Sequence, residues 1–114
     1  MRAILIEPVE ESHIEEDSIY KLETNIDDCS AEVLGYTMER LFAAGAKDVN
    51  YTPIFMKKNR PAYLLTVLCG EEDVSVMENI IFYETTSIGI RRVRMDRHIL
   101  RRTTSPVETT LGTV

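Results

Sequence analysis

The sequence predicts an α+β fold with the element order β-α-β-β-α-β, and three observations predict it. Strand patterns occur in four places, around "IYKLETNI", "DVNYTPIFM", "YLLTVLC" and the basic stretch from about Ile90 to Leu100. Apolar residues recur at helical spacing in two segments, one after the first strand and one after the third. Polar or glycine-containing breaks separate them, with "MKKNRPAY" joining the second and third strands as a tight turn. That order is the pattern of a ferredoxin-like split βαβ, an antiparallel sheet with two helices on one face.

Each element has its own justification. The first 17 residues read as a flexible acidic lead-in, because Pro8 and then Glu10, Glu11, Glu15, Glu16 and Asp17 follow "AILI" and cannot bury themselves. The folded domain is expected over residues 18–114. In "IYKLETNI" the side chains Tyr20, Leu22, Thr24 and Ile26 share one face, and Glu23, Asn25 and Asp27 share the other. Ser30 is placed to cap a helix over about Ala31–Ala44, with Glu32 in its first turn, a stripe of Val33, Leu34, Met38, Leu41 and Phe42, and Gly45 as its stop. Pro53 cannot donate to a ladder, which marks the second strand as an edge. "YLLTVLC", apolar on both faces, suits a central strand. Val74, Met77, Ile80 and Ile81 set the second helix within "EEDVSVMENIIFYE", and "SPVETTLGTV" is expected to add a short hairpin at the end. A sheet covered on one side only leaves its other face to pack against another subunit or a missing domain, and a homo-oligomer is expected.

Bulk properties narrow the function. At 114 residues, 44% hydrophobic and 28% charged, the chain is one domain's worth. A net charge of −6 argues against generic nucleic-acid or anionic-membrane binding, although Arg91, Arg92, Arg94, Arg97, Arg101 and Arg102 form a basic strip. No apolar run approaches the roughly 20 residues of a membrane span. Cys29 and Cys69 lack CxxC spacing and follow no signal peptide, so they read as reduced thiols of a cytoplasmic protein. Neither the P-loop nor the GxGxxG pattern occurs, His13 and His98 stand apart, and no nucleophile elbow is present.

Three polar clusters remain, each with an ordinary alternative. In "ETNIDDCSAE" the acids serve as a helix cap and a solvated strand face, or Glu23, Asn25, Asp27 and Asp28 hold a cation that offsets their like charge. Such oxygen donors favour Mg²⁺ or Mn²⁺ over zinc. In "MKKNRP", Lys57, Lys58 and Arg60 are either a solvated turn or a phosphate site. In "ETTSIGIRR", Glu84, Thr85, Thr86, Arg91 and Arg92 form a helix end and charged edge, or a wall where backbone approaches a ligand. Consecutive arginines on a strand face opposite ways, so at most about half of the strip serves one site.

These motifs, TNIDD, PIFMKKNRP and ETTSIGIRR in that order, closely resemble the carboxy-terminal half of the LarC family of nickel insertion proteins over roughly residues 18–112. Cys29 and Ala62 depart from the Met and Gly common in that family, at packing and turn positions. The resemblance implies a part of a CTP-dependent nickel chelatase, a lyase that converts pyridinium-3,5-bisthiocarboxylic acid mononucleotide into the nickel pincer cofactor of lactate racemase. It further implies CTP with Mn²⁺ or Mg²⁺ bound in this half, oligomerisation through it, and Ni²⁺ handled by an amino-terminal half that this chain lacks. Carried onto these residues, Glu23, Asn25, Asp27 and Asp28 would hold the divalent ion, and Lys57, Lys58, Arg60, Glu84, Thr85, Thr86, Arg91 and Arg92 would hold the nucleotide. The tail's stop inside a hairpin pattern is what an expressed fragment would show. Two other classes stay open: a ferredoxin-like regulatory or interaction domain for a small ligand, without chemistry of its own, and a divalent-metal phosphohydrolase.

Overall fold

A computed structural model describes the backbone of residues 2–113 and the side chains of residues 12–102. Six main elements follow in order: β1 (Arg2–Ile26), α1 (Ala31–Ala43), β2 (Asp48–Met56), β3 (Arg60–Cys69), α2 (Val74–Glu84) and β4 (Arg91–Thr113). One sheet holds all four strands in the order β2-β3-β1-β4. β3 lies antiparallel to both β1 and β2, pairing Glu23 with Thr66 and Val49 with Val67. The parallel strands β1 and β2 are therefore split by β3, which is the ferredoxin-like arrangement.

Contacts divide the chain into two compact units. In the Ser18–Asp96 unit the core follows from strand alternation. Leu22 and Ile26 of β1, and Leu65, Val67 and Cys69 of β3, are almost wholly buried against Leu34 and Leu41 of α1 and Val74, Met77, Ile80 and Ile81 of α2. Pro53 sits on the edge strand β2, where its missing N–H breaks no ladder between two neighbours. All four apolar positions expected for α2 are buried. On α1 the expected stripe is shifted: Phe42 is 45% exposed, while Thr37 is fully buried because its hydroxyl donates back to the Val33 carbonyl at 2.7 Å.

Caps set the helix ends. Ser30 Oγ accepts from the Val33 N–H at 3.2 Å, closing the first turn of α1. At the other end Gly45 takes φ of 110° and donates to the Phe42 carbonyl, while Ala46 donates to Leu41, the paired bonds of a Schellman stop. α2 begins after a short 3-10 turn, Glu71–Asp73, and ends where the Thr85 N–H and hydroxyl both reach the Ile81 carbonyl.

The second unit comprises Met1–Asp17 with Arg97–Val114. β1 starts at Arg2, well before the Ser18 that alternation indicates. The reason is visible in its charges: Arg97 grips Asp17 through two hydrogen bonds at 2.7 and 3.1 Å, His98 meets Glu16 at 2.9 Å, and Arg101 meets Glu15. Acids that cannot bury themselves alone are matched by bases across an antiparallel pair. β4 likewise runs unbroken to Thr113, so the hairpin expected in "SPVETTLGTV" does not form; the strand's backbone continues where a turn was expected, and Val114 lies outside the described residues.

Candidate functional site

Within the Ser18–Asp96 unit the three motifs converge on one cleft of about 510 Å³, lined by Asn25 and Asp27 of the TNIDD stretch, Met56 of the β2 end, and Thr86, Gly89 and Arg91 beyond α2. The topology explains the convergence. β1 is central, the β2–β3 turn emerges beside its end through the Ile26–Tyr63 and Met56–Arg60 pairings, and the α2–β4 connection returns to β1's other side.

On β1, Glu23 and Asn25 project from the sheet face that carries no helices. The Arg91 Nε–H donates to Glu23 Oε1 at 3.0 Å and its Nη2 donates to Asn25 Oδ1 at 3.1 Å. Lys21 Nζ stands 3.6 Å from the other Glu23 oxygen. The Arg91 hydrogen bond, aided by Lys21 and opposed by partial burial, holds the Glu23 carboxyl below its usual range. Asp27 Oδ2 accepts from Arg60 Nη2 at 2.5 Å, which ties the β2–β3 turn to the β1 end. Asp28 is exposed on the step into α1. Among the described residues, no three His, Cys, Asp or Glu side chains gather closely enough to form a metal cluster.

The turn Lys57–Asn59 is conformationally costly. Lys58 and Asn59 both adopt positive φ, 61° and 59°, the left-handed region that side chains other than Gly and Asn avoid. The turn presents Lys57 and, in the left-handed region, Lys58.

The cleft's far wall depends on a residue that charge patterning did not single out. Thr24 lies on the helix-facing side of β1, 2% exposed, and donates to the Gly89 carbonyl at 2.7 Å. Ser87 Oγ lies 2.6 Å from Thr24 Oγ1 and also reaches Gly89 O at 3.1 Å. With the Thr24 proton spent on Gly89, the Ser87 hydroxyl must donate into the Thr24 oxygen or share that carbonyl. Thr85 Oγ1 in turn accepts from the Ser87 N–H at 3.2 Å, and Thr86 Oγ1 is 3.9 Å from Cys29 Sγ. The one available signal was a hydroxyl interrupting the apolar face of Tyr20, Leu22 and Ile26.

Of the eight residues expected to hold a nucleotide, Thr86 and Arg91 line the cleft, and Lys57, Lys58, Arg60, Glu84, Thr85 and Arg92 do not. Glu84 turns toward Arg40 of α1 and lines a separate groove between the helices. Arg92 points to the helix side of the sheet, where its guanidinium is 3.5 Å from Glu78. Arg91 faces the cleft and Arg92 does not, as alternation requires.

Chemically the cleft offers a carboxylate at Asp27, a guanidinium held by Glu23 and Asn25, hydroxyls, and exposed backbone around Gly89. Comparison with known proteins gives the family of the chain. A family model for the nickel insertion protein matches residues 1–114. A pyridinium-3,5-bisthiocarboxylic acid mononucleotide nickel insertion protein of Alkaliphilus metalliredigens is 50% identical over 107 residues, covering 91% of this chain and 25% of the relative. The protein of that name in Acetivibrio thermocellus is 48% identical over the whole chain, which spans 28% of it. The chain thus spans about a quarter of the curated relatives it matches. Among solved structures, LarC2, the C-terminal domain of a cyclometallase involved in the synthesis of the NPN cofactor of lactate racemase, matches with a TM-score of 0.71 and 35% identity, over 84% of this chain and 78% of that one. By the family match over its whole length, the chain belongs to the nickel insertion protein family.

Proposed function

We propose that this chain is the CTP- and divalent-metal-binding module of a nickel insertion protein, and that it assembles as a homo-oligomer in the cytoplasm. The observation that carries the reading is that residues of TNIDD, Met56 at the end of β2 and the TTSIGIR stretch line one polar cleft of a size for a small phosphorylated ligand, while Arg60 of the β2–β3 turn pairs with the cleft's Asp27. The relatives named above act on pyridinium-3,5-bisthiocarboxylic acid mononucleotide; in this reading the whole protein containing this module takes that mononucleotide and Ni²⁺ as substrates, with the metal handled outside the module.

The residues fit a hard cation in partnership with phosphate. Mg²⁺ and Mn²⁺ are commonly bound through one or two carboxylates plus water and phosphate oxygens, which asks of the protein no more than Asp27 and Asp28 supply. Asp27 and Asp28 would hold such an ion, which would supply neutralising charge for phosphate. Arg60, moving from Asp27 to a phosphate, and Lys57 and Lys58 on the β2–β3 turn would balance the remaining charge. Thr86 and the backbone about Gly89 wall the site, and Thr85 holds the wall to α2. Leu64 and Leu68, half-buried on the helix-free face, together with Val93, 49% exposed, provide apolar surface for a second copy.

Calorimetric titration with CTP in the presence of Mn²⁺ tests the proposal. Saturable binding that chelation abolishes supports it. Binding of CTP unaffected by chelation favours a regulatory domain without metal, and no heat at high protein concentration removes the nucleotide reading altogether.

A further inference from the structure

Glu23 and Asn25 sit among the acids that crowd the end of β1, and their like-signed company calls for a cation. The structure supplies one from within: the Arg91 guanidinium, which spans both side chains through Nε and Nη2. Glu23 Oε2 faces a second cation, Lys21, at 3.6 Å. Both carboxylate oxygens therefore look at protein cations, and the Asn25 oxygen is committed to Arg91. A metal ion here would displace these donors and stand beside Arg91's charge.

We propose that Glu23 and Asn25 are positioning residues that hold Arg91 in a fixed fork toward the cleft, and that they are not metal ligands. Two of the five N–H donors of a guanidinium are used by β1, leaving three for an anionic oxygen in the cleft that Arg91 lines. Because Arg91 is 54% exposed, its ion pair adds little to stability; its effect is to remove the rotamer freedom that a long side chain would otherwise lose on binding. Lysine, a point charge without the planar fork, cannot span two acceptors and present parallel donors. The inference rests on the phosphate-binding reading above but assigns the acids a different task.

Its test has two parts. In the free protein, NMR of the arginine Nε–H groups should show a distinct, exchange-protected Arg91 resonance that Glu23→Ala removes; an Arg91 signal unchanged by Glu23→Ala overturns the proposal whether or not nucleotide binds. With Mn²⁺ and CTP, Glu23→Ala should weaken affinity about threefold to tenfold, while the Mn²⁺ concentration giving half-saturation stays unchanged. In an Arg91→Ala background, Glu23→Ala should cost nothing further. A shifted Mn²⁺ dependence, or an undiminished Glu23→Ala effect without Arg91, makes Glu23 a metal ligand and overturns the inference. Failure of the unaltered protein to bind CTP would instead count against the function, leaving the NMR result to judge the fork.

Discussion

Two hollows of the Ser18–Asp96 unit differ in size and in chemistry, and the larger of the two is not the one that carries the charged motifs. The groove between α1 and α2 measures about 870 Å³ against about 510 Å³ for the cleft at the end of β1. Its wall is Tyr36, Tyr83, Val76 and Ile80, with Arg40 neutralised by Glu84 and stacked 6.0 Å over the Tyr83 ring. The smaller cleft has Asp27, Arg91 and a hydroxyl-pinned turn. Volume measures what would fit; the chemistry of the lining decides what would be held. A groove walled mainly by aromatic and aliphatic side chains has little to offer a phosphate, whereas the cleft presents hydroxyls, backbone about Gly89 and the Arg91 N–H donors that Glu23 and Asn25 do not use.

Mutations can break or sharpen that contrast. The largest expected effect touches the core beneath both hollows: Met77→Ala empties a fully buried site and should cost about 2–5 kcal/mol, read by denaturant unfolding. Next is Asp27→Asn, which should weaken Mn²⁺-dependent CTP binding about tenfold to a hundredfold, with Lys47→Ala and the groove variant Tyr83→Ala within about twofold. Equal losses for Asp27→Asn and Tyr83→Ala would erase the distinction between the hollows. Thr24→Val leaves the Gly89 carbonyl with the Ser87 hydroxyl alone and removes the Thr24–Ser87 contact, so it should destabilise by about 1 kcal/mol; Thr24→Ser should restore most of that in the same melt.

Two smaller effects follow. Lys58→Gly removes a left-handed lysine, so it should stabilise by up to about 1 kcal/mol while weakening nucleotide binding, a pairing that a merely structural turn would not show. The pH dependence of Glu23 is smaller still. Its carboxyl is lowered from the ordinary 4.5, first by the Arg91 hydrogen bond. A depressed carboxylate contributes stability above its unfolded pKa and loses it as pH falls through the folded value, so stability between about pH 5 and 7 should not respond. Arg91→Ala should return the Glu23 titration toward the ordinary range, measured by NMR.

Much of this fold was legible in the sequence because it is written in period and punctuation. Ser30 and Gly45 end α1 as caps do, Pro53 marks the edge strand, and Val74, Met77, Ile80 and Ile81 are buried together. Pairing across distant strands is less legible. Glu15, Glu16 and Asp17 looked unburiable beside one another, and only the register of β4 brings Arg101, His98 and Arg97 to them. The same limit applies at the site. The motifs and the Arg91/Arg92 alternation could be read from sequence, but the partners of Glu23 and Glu84 depend on contacts 68 and 44 residues away. Thr24 was hidden for another reason: a hydroxyl on an apolar strand face reads as packing until the turn that it anchors is seen.

Whether the cleft at the end of β1 binds a metal–nucleotide pair is decided by calorimetry of the unaltered domain with CTP, with Mn²⁺ and then with chelator. Saturable, Mn²⁺-dependent binding that Asp27→Asn impairs and Tyr83→Ala spares is expected. Absence of binding by the folded domain, or binding that Tyr83→Ala abolishes and Asp27→Asn leaves intact, would contradict that reading.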